Sequence, residues 1–547
     1  MSGNLLKFRI SFSKNKELWR DLIVLFLTCI GTGLWAVYLG QDINWDLKNY
    51  HFYNPWAFLN GKMHIDYAPA MIQSYHNPLL DLPVYFLITN LKPIYVGFIL
   101  GAFQGLNIFF IYLITKKITI GYSNFNKTAL LIAACIMSCY GVANMTEIGS
   151  VFGDNLVSVF ILWALYLLSK SAINELDNKK PIAVFSINYI LAGFLVGFAV
   201  GLKLTVAIYP VTIGLSLYWL AKNFIDYLRL AVIFSVSACI GLAASLGYWM
   251  TTLWKTFGNP FFPYFNKLFQ SSYYQSINYT DNRFLPDNIY QTLFYPFYLL
   301  KYQNLTSEIM FREARFAICY LFFILFLIYI LYKKIKKEAV FKEDKTLLPF
   351  NLFITSFFFL SYILWQYIYS IQRYIVVLEF VSPILLLFFL NSFQLKKQVS
   401  TYIFITLSIA IVFYAIPIDY GRMKWEDSYF GVQVPEIENL GKANVLMQGG
   451  EPLAYIVPYF PVKTRFIRLI LKEPSLLENK RRTRYDDEVD AIVRKSNSNY
   501  ILICNNDKSE VAEIEHFYNL KMDSSSCKKI ISKLNDDLCV CKLISQP

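Results

Sequence analysis

Residues 41–78 read QDINWDLKNYHFYNPWAFLNGKMHIDYAPAMIQSYHNP and follow directly after the first long apolar segment. They contain three of the four histidines, three aspartates and many Trp, Tyr and Phe residues. Aromatic residues favour the water–lipid boundary in any membrane protein. An aromatic belt would therefore explain the aromatic residues of this stretch, but not its acids. The combination predicts a site at the membrane surface.

The composition is that of a polytopic membrane protein, because 56% of the 547 residues are hydrophobic and only 16% are charged. The net charge of +13 does not indicate a nucleic-acid partner. Most Lys and Arg residues lie in short connections between apolar segments, where they mark membrane topology. The first apolar segment is about 20 residues long, enough to span a membrane, so no cleavable signal peptide is expected.

The apolar segments predict an all-α bundle of about eleven transmembrane helices, since each is long enough to cross the hydrocarbon core. The alternation of basic loops predicts a cytoplasmic N-terminus (residues 1–20) and a C-terminus on the other side. The membrane domain covers residues 21–418, with outer loops at 41–92 and 250–312. The predicted spans are 21–40, 93–115, 128–144, 150–169, 182–201, 204–221, 230–249, 314–332, 346–367, 374–392 and 399–418.

The first outer loop is predicted to carry two interfacial helices. One follows Asp46, is interrupted at Asn54-Pro55 and ends at Gly61. The other covers residues 79–91, which are too few to cross a membrane. Asp46 then has two interpretations: it caps the helix that follows, or it is a general base facing a cavity.

Residues 419–547 predict a small soluble α/β domain. Strands are expected at 444–447, 465–469, 500–504 and 538–543, and helices at 486–495 and 510–518. If this domain lies on the outer side of a bacterial inner membrane, it is in an oxidising space, and disulfides are then expected among its cysteines, with connectivity left open. Those cysteines are Cys504, Cys527, Cys539 and Cys541. Cys539 and Cys541 alternate along one strand and so share a face.

Acids and bases recur at the predicted outer ends of the spans. Glu147 lies at an outer turn, and Asp154 lies about one turn into the next span, where it must face protein or water. Lys203 is the only basic residue at its outer turn, which favours an anion as partner; the alternative is that it snorkels to headgroups. Arg373 begins another span, and its guanidinium can bind two phosphate oxygens at once.

Other polar residues are candidates to line a substrate site. The spacing of the histidines does not fit a zinc site, so no cofactor is expected, although a divalent metal is compatible with the acids. No glycine-rich phosphate loop and no serine nucleophile motif is present. The candidate lining residues are Tyr50, His51, His76, Asn77, Asp281, Arg283, Arg315 and Glu379.

The first outer loop contains an Asp, a Tyr, a small apolar residue and a Gly in the order Asp46, Tyr50, Ala57 and Gly61. In this order of residues the loop resembles that of the membrane glycosyltransferases of the C fold, the GT-C superfamily. The opening of the second interfacial helix is similar at Asn77-Pro78-Leu79.

Two later motifs extend the resemblance over residues 40–205. Glu147 and Asp154 occupy the region of the family's second acidic motif, and Gly201-Leu202-Lys203 resembles its Gly-x-Lys stretch. The chain departs from the family at Asp46-Leu47, where an acidic pair is common. A lone carboxylate resembles the polyprenyl-phosphate hexose and mannose transferases more than the metal-dependent oligosaccharide transferases.

The resemblance implies an inverting hexosyl- or pentosyltransferase that takes its sugar from a polyprenyl-phosphate carrier in the membrane. Asp46 would be the catalytic base, with Asp42, Glu147 and Asp154 as supporting acids. Lys203 and Arg373 would bind the donor phosphate. The acceptor would be a hydroxyl of a glycan, lipid or protein. The enzyme would be a multi-pass protein of a bacterial inner membrane, with its active site and C-terminal domain outside the cytoplasm.

Three alternatives use the same residues differently. A transporter or flippase of lipid-linked glycans would need charged residues at mid-span on broken helices, often in repeated halves, and the sequence shows no repeat. A polysaccharide polymerase or ligase would use arginines of its large outer loop, here Arg283, Arg312 and Arg315. The third alternative is a non-enzymatic envelope scaffold.

Overall fold

The computed structural model describes residues 2–177, 187–339, 347–469, 482–504, 508–535 and 537–546. It is mostly helical, with a small C-terminal sheet. The chain divides into two compact units. The helical unit comprises Met1–Leu39, Gly97–Ser245 and Asp281–Tyr420. The sheet unit comprises Gly40–Val96, Leu246–Thr280 and Gly421–Pro547.

The helical unit holds most of the long helices, numbered here in chain order through both units. They are α1 (Ser2–Leu39), α4 (Pro93–Ile118), α5 (Asn124–Cys139), α6 (Val142–Glu147), α7 (Asp154–Asp177), α8 (Ile187–Leu202), α9 (Ile208–Ser216), α10 (Phe224–Phe257), α12 (Ile289–Tyr298), α13 (Arg315–Ile335), α14 (Leu348–Ile368), α15 (Val376–Ser392) and α16 (Lys397–Tyr414). The last turns of α10 and the first residues of α4 belong to the sheet unit.

Eight helices of the described residues are long and apolar enough to cross a membrane. Three shorter apolar helices, Asn124–Cys139, Ile187–Leu202 and Leu204–Leu220, lie at further predicted spans. The chain is therefore a multi-pass membrane protein, while the count of eleven spans and their orientation stay predictions. Residues 182–186 and 346, at the starts of two predicted spans, lie outside the described residues. The span 150–169 was placed too early, since α7 begins at Asp154.

Helices α8 and α10 pack backbone to backbone through a row of glycines. A Cβ atom on Gly197 would lie 1.8 Å from the carbonyl oxygen of Ala238, and one on Gly201 would lie 2.0 Å from Ser245 Oγ. Small residues four apart are a common basis for close helix contact in membranes. A larger side chain at either position would push α8 away from α10. Because Lys203 directly follows α8, this shift would also move Lys203.

The sheet unit contains a five-stranded sheet of order β4-β3-β5-β7-β6. Its strands are β3 (Asn444–Met447), β4 (Arg465–Arg468), β5 (Asn499–Cys504), β6 (Leu520–Lys529) and β7 (Leu538–Ser545). Strands β4, β3 and β5 are parallel, and β7 and β6 continue the sheet antiparallel. The four predicted strands are confirmed, as are the two predicted helices, α17 (Arg484–Lys495) and α18 (Lys508–Tyr518). Strand β6 was missed because its DSSSCKK run is polar and lacks apolar alternation.

A disulfide joins Cys527 of β6 to Cys541 of β7. It confirms that the tail cysteines can pair and settles the connectivity for these two. Cys539 carries a free thiol. The side chain of Cys504 lies outside the described residues.

The first outer loop begins with β1 (Gln41–Asp42), paired with β2 (Arg422–Met423), and continues into a π-helical turn at Leu47–His51. Helix α2 (Tyr53–Leu59) follows, and α3 (Asp81–Asn90) confirms the second short helix. The break lies at Phe52 rather than at Asn54-Pro55. Pro55 falls in the first turn of α2, where its missing N–H costs no helical hydrogen bond. Gly61 adopts the left-handed conformation expected at a helix end (φ 62°). The sheet unit also includes the single turn α11 (Asn266–Phe269).

A buried ion pair fastens this loop to the sheet. Lys62 Nζ lies 2.9 Å from Asp66 Oδ1 and donates to the carbonyl oxygens of Val462 and Thr464. The backbone N–H of Phe466 donates to the same carboxylate. Burial raises the pKa of Asp66 to about 6, against the opposing effect of the Lys62 ammonium. The Asp66 carboxylate therefore depends on Lys62 to stay ionised.

Lys62→Met is expected to destabilise the sheet unit by about 3–5 kcal/mol at pH 8, because it leaves Asp66 buried without a cation. The loss should be smaller at pH 5, where a protonated Asp66 needs no cation. Thermal unfolding of the purified protein at both pH values measures this. Lys92→Met is the control, since Lys92 and Asp427 form an exposed pair at 3.4 Å and should change stability by at most about 1 kcal/mol. Equal losses in the two variants would contradict the prediction.

Candidate functional site

In the helical unit, an acid and a base meet where helix α7 begins and helix α8 ends. Asp154 begins α7, and Lys203 directly follows α8. The ammonium of Lys203 lies 2.7 Å from Asp154 Oδ2 and donates to the carbonyl oxygen of Phe152. The side chain of Asp154 is 1% exposed and that of Lys203 is 13% exposed. Charged groups this buried in a membrane protein commonly serve function.

Arg373 joins the same group through two aromatic rings. Its guanidinium lies 4.8 Å from the ring centre of Phe152 and 5.4 Å from that of Tyr374. The Lys203 ammonium lies 5.8 Å from the Tyr374 ring. These distances suit cation–π contacts. The structure therefore brings Asp154, Lys203 and Arg373 together around Phe152 and Tyr374.

Glu147, the last residue of α6, completes what we call the acid–base cluster: Glu147, Asp154, Lys203 and Arg373. Its side chain is fully buried, and its Oε2 accepts the backbone N–H of Asn155. Burial raises the pKa of Glu147 well above its usual range, and the nearby negative charge of Asp154 raises it further. Among the described residues, Glu147 Oε1 and Asp154 Oδ1 have no hydrogen-bond partner.

Glu147→Gln is expected to preserve the fold, because Gln resembles the protonated acid that the raised pKa favours. Wild-type stability should fall as the pH rises from about 4.3, the ordinary glutamate pKa, toward the higher folded pKa, by about 1.4 kcal/mol per pH unit. As the pH rises, the unfolded chain loses this proton at a lower pH than the folded protein does. Deprotonation therefore stabilises the unfolded state first, and the free energy of unfolding falls. The Gln variant should lack that part of the slope. Thermal unfolding at pH 5 and pH 8 tests this, with the exposed Glu308→Gln as control; parallel pH profiles for all three proteins would contradict it.

Glu379 and Arg315 lie in a buried network that holds α6. The Glu379 carboxylate accepts the backbone N–H groups of Ala143 and Asn144, at 2.9 and 3.2 Å. Arg315 donates to Glu313 and to the carbonyl oxygens of Glu379 and Tyr140. Both side chains are fully buried. The contacts identify them as supports for the helix that carries Glu147, a role that sequence reasoning did not foresee.

Asp281 and Arg283 lie on the exposed side of the helical unit. Arg283 contacts Asp281 at 2.7 Å and Glu308 at 3.1 Å. Although burial opposes it, hydrogen bonds from Arg283 hold the pKa of Asp281 below its usual range. Tyr420 donates to Glu308, and its ring lies 5.0 Å from that of Phe152. Tyr420 thus connects these two residues to the acid–base cluster.

The sheet unit holds the candidate acids of the first loop. Both oxygens of Asp42 accept from the Asn44 side chain, at 2.8 Å each. Asp46 is 7% exposed. Its backbone is already helical (φ −64°, ψ −39°), and its carboxylate makes no capping hydrogen bond to the turn that follows. The capping interpretation of Asp46 is therefore wrong, because a cap needs an extended backbone and a bond to the first turn.

Four further candidates of this loop lie close together. The Tyr50 ring centre is 4.1 Å from that of His51 and 5.1 Å from that of His76. His51 Nδ1 lies 2.7 Å from Asp81 Oδ1, and His76 Nε2 lies 2.8 Å from the Tyr264 hydroxyl. Asn77 accepts the backbone N–H of Leu79. The sequence did not reveal that Asp81 contacts His51 or that Tyr264 contacts His76. One signal was present, because Asp81 is an acid at the start of a predicted helix.

Within the residues that the structure describes, no group of three or more His, Cys, Asp or Glu side chains is arranged to hold a metal ion. The expectation that no cofactor is needed stays a prediction, as does the catalytic role of Asp46.

No model of a known protein family matches the sequence, and no curated protein matches it. Among solved structures, the chain is similar to an oligosaccharyltransferase of Archaeoglobus fulgidus, crystallised with a tethered acceptor peptide. The two share 12% sequence identity with a TM-score of 0.39, over 89% of this chain and 69% of that one.

Proposed function

We propose that the chain is an inverting glycosyltransferase that moves a sugar from a polyprenyl-phosphate carrier to an acceptor hydroxyl at the membrane surface. The observation that carries this proposal is the acid–base cluster at the ends of membrane helices. A phosphate with a hydrocarbon tail lies at the membrane boundary, and charged groups within a membrane domain commonly mark a substrate path. Burial favours the protonated form of Glu147, which leaves Asp154 as the main negative charge beside the cations of Lys203 and Arg373. This balance of charge favours the binding of a phosphate.

In the proposed reaction, the Asp46 carboxylate accepts the proton of the acceptor hydroxyl as its oxygen attacks the anomeric carbon. The bond between that carbon and the phosphate oxygen breaks, and its electron pair leaves with the polyprenyl phosphate. Attack opposite the leaving group inverts the anomeric configuration. A positioned base of this kind contributes roughly 10²–10⁴-fold in rate.

Lys203 and Arg373 are proposed to stabilise the departing phosphate, where negative charge develops in the transition state. The planar guanidinium of Arg373 can bind two of its oxygens. Glu147 and Asp154 would set the charge and position of these cations. Asp42 is not the first choice as base, because Asn44 already engages both of its oxygens.

The proposal extends to the sugar, the acceptor and the location. The sugar would be a hexose or pentose, and the acceptor a glycan, lipid or protein. The reaction would take place on the extracytoplasmic face of a bacterial inner membrane, where the sheet unit would also lie. The basic inner loops of the sequence support this orientation.

The contacts of three arginines weigh against the polymerase or ligase alternative. Arg315 is buried against Glu313, and Arg283 contacts Asp281 and Glu308. The Arg312 guanidinium donates to the Tyr414 carbonyl oxygen and lies 4.1 Å from the Tyr414 ring centre. Each arginine that the alternative would use thus has a structural partner in the chain.

Incubation of the purified protein with a panel of radiolabelled polyprenyl-phosphate sugars and membrane extract tests the proposal. We expect label from at least one donor to move to a new product. Unchanged donor across the panel would contradict the proposal and favour a transporter or a scaffold.

A further inference from the structure

His51 and Asp81 form a buried pair in the first loop of the sheet unit. His51 belongs to the π-helical turn and Asp81 to the first turn of α3, and the two side chains are 3% and 5% exposed. His51 Nδ1 lies 2.7 Å from Asp81 Oδ1. The other ring nitrogen, Nε2, is buried and has no hydrogen-bond partner among the described residues.

The pairing decides which nitrogen of His51 can accept a hydrogen bond. An ionised carboxylate only accepts hydrogen bonds, so the proton between the two groups belongs to Nδ1. In the neutral imidazole, Nε2 then carries the lone pair and is an acceptor. A buried acceptor without a donor lowers the stability of the folded protein. The unpaired Nε2 of His51 therefore suggests a donor from outside the chain.

His51 lies in the same short segment as Asp46. Asp46 directly precedes the π-helical turn, and His51 is the last residue of that turn. Irregular π-helical turns of this kind occur frequently at functional sites. Next to His51 lie the rings of Tyr50 and His76.

Resting on the proposed function, we propose that His51 Nε2 accepts a hydrogen bond from a hydroxyl of the bound sugar. Asp81 is the positioning residue that holds His51 in the accepting tautomer. The chemistry distinguishes the ligand group: the phosphodiester of a polyprenyl-phosphate sugar has no proton to donate, whereas each sugar hydroxyl has one. Nε2 therefore recognises the sugar and not the phosphate.

His51→Asn tests the nitrogen itself, because the Asn amide can take the place of Nδ1 beside Asp81 while Nε2 is deleted. We expect the KM for a farnesyl-phosphate hexose donor to rise about tenfold or more, with kcat changed less. His64→Asn is the control, since His64 is exposed on the same loop, and its KM should be unchanged.

Monodeoxy versions of the same farnesyl-phosphate hexose separate recognition from a structural role. The wild type should discriminate strongly against one of them, and His51→Asn should lose that discrimination for the same analogue only. If His51→Asn discriminates among the monodeoxy donors in the same way as the wild type, the inference is overturned.

A spectroscopic test on the wild-type protein does not depend on the folding of a variant. The chain has only four histidines, so few signals have to be resolved. In ¹⁵N-histidine NMR, we expect wild-type His51 to be protonated at Nδ1, and its Nε2 signal to shift when the donor binds. Asp81→Asn presents an amide donor to Nδ1 and should move the proton to Nε2. An Nε2 signal indifferent to saturating donor, in protein that still transfers sugar, would overturn this inference alone. Absence of transfer with every donor would instead count against the proposed function.

Discussion

Asp46→Asn is expected to lower the rate of sugar transfer roughly 10²–10⁴-fold, the contribution of a positioned general base. The amide has nearly the shape of the carboxylate but cannot accept the acceptor's proton at neutral pH. The fold should be kept, because the amide has the size and shape of the carboxylate that it replaces. The measurement compares kcat and thermal unfolding of variant and wild type at saturating donor and acceptor.

The control for this prediction is Asp427→Asn, an exposed acid of the same unit whose carboxylate lies 3.4 Å from Lys92. Its transfer rate should equal that of the wild type. If Asp46→Asn transfers sugar at a near-normal rate, the base lies elsewhere, and Asp42 becomes the first residue to test.

Lys203→Met is expected to abolish transfer and to destabilise the helical unit by about 3–5 kcal/mol, since it leaves Asp154 buried without its cation. The double variant Lys203→Met with Asp154→Leu should recover most of the stability, because replacing both members of a buried ion pair is often nearly neutral. Transfer should stay lost in the double variant, because the cation for the phosphate is gone.

Thermal unfolding and kcat, measured on the wild type, the single variant and the double variant, separate the two roles of Lys203. Recovery of both stability and transfer in the double variant would contradict anion binding by Lys203. It would show instead that the lysine serves only to neutralise Asp154.

The sequence alone predicted the elements of both units well where a local pattern defines them. Long apolar runs marked the membrane helices, and short runs rich in apolar residues marked four of the five strands of the C-terminal sheet. Lys203 stood out because a lone cation at a predicted outer turn breaks the usual topology rule. The structure places it against Asp154, as a buried charge requires.

What the sequence could not show are partnerships between distant segments. Glu379 was a plausible substrate ligand until the structure placed its carboxylate on the N–H groups of α6, more than 230 residues earlier. The fastening of Lys62 to the strand near Thr464 joins segments about 400 residues apart. Neither contact can be recognised from a local sequence pattern. A buried polar side chain needs a hydrogen-bond partner, but that partner can come from any segment that the fold places beside it.

The most direct test of sugar transfer is a donor labelled twice, with ³H in the sugar and ³²P in the phosphate of its polyprenyl carrier. After incubation of the purified protein with membrane extract, the two labels should separate. The ³H should appear in a new product while the ³²P stays with the lipid, and Asp46→Asn should prevent this separation. Labels that stay together in one lipid while it crosses a vesicle membrane would contradict sugar transfer and identify a transporter.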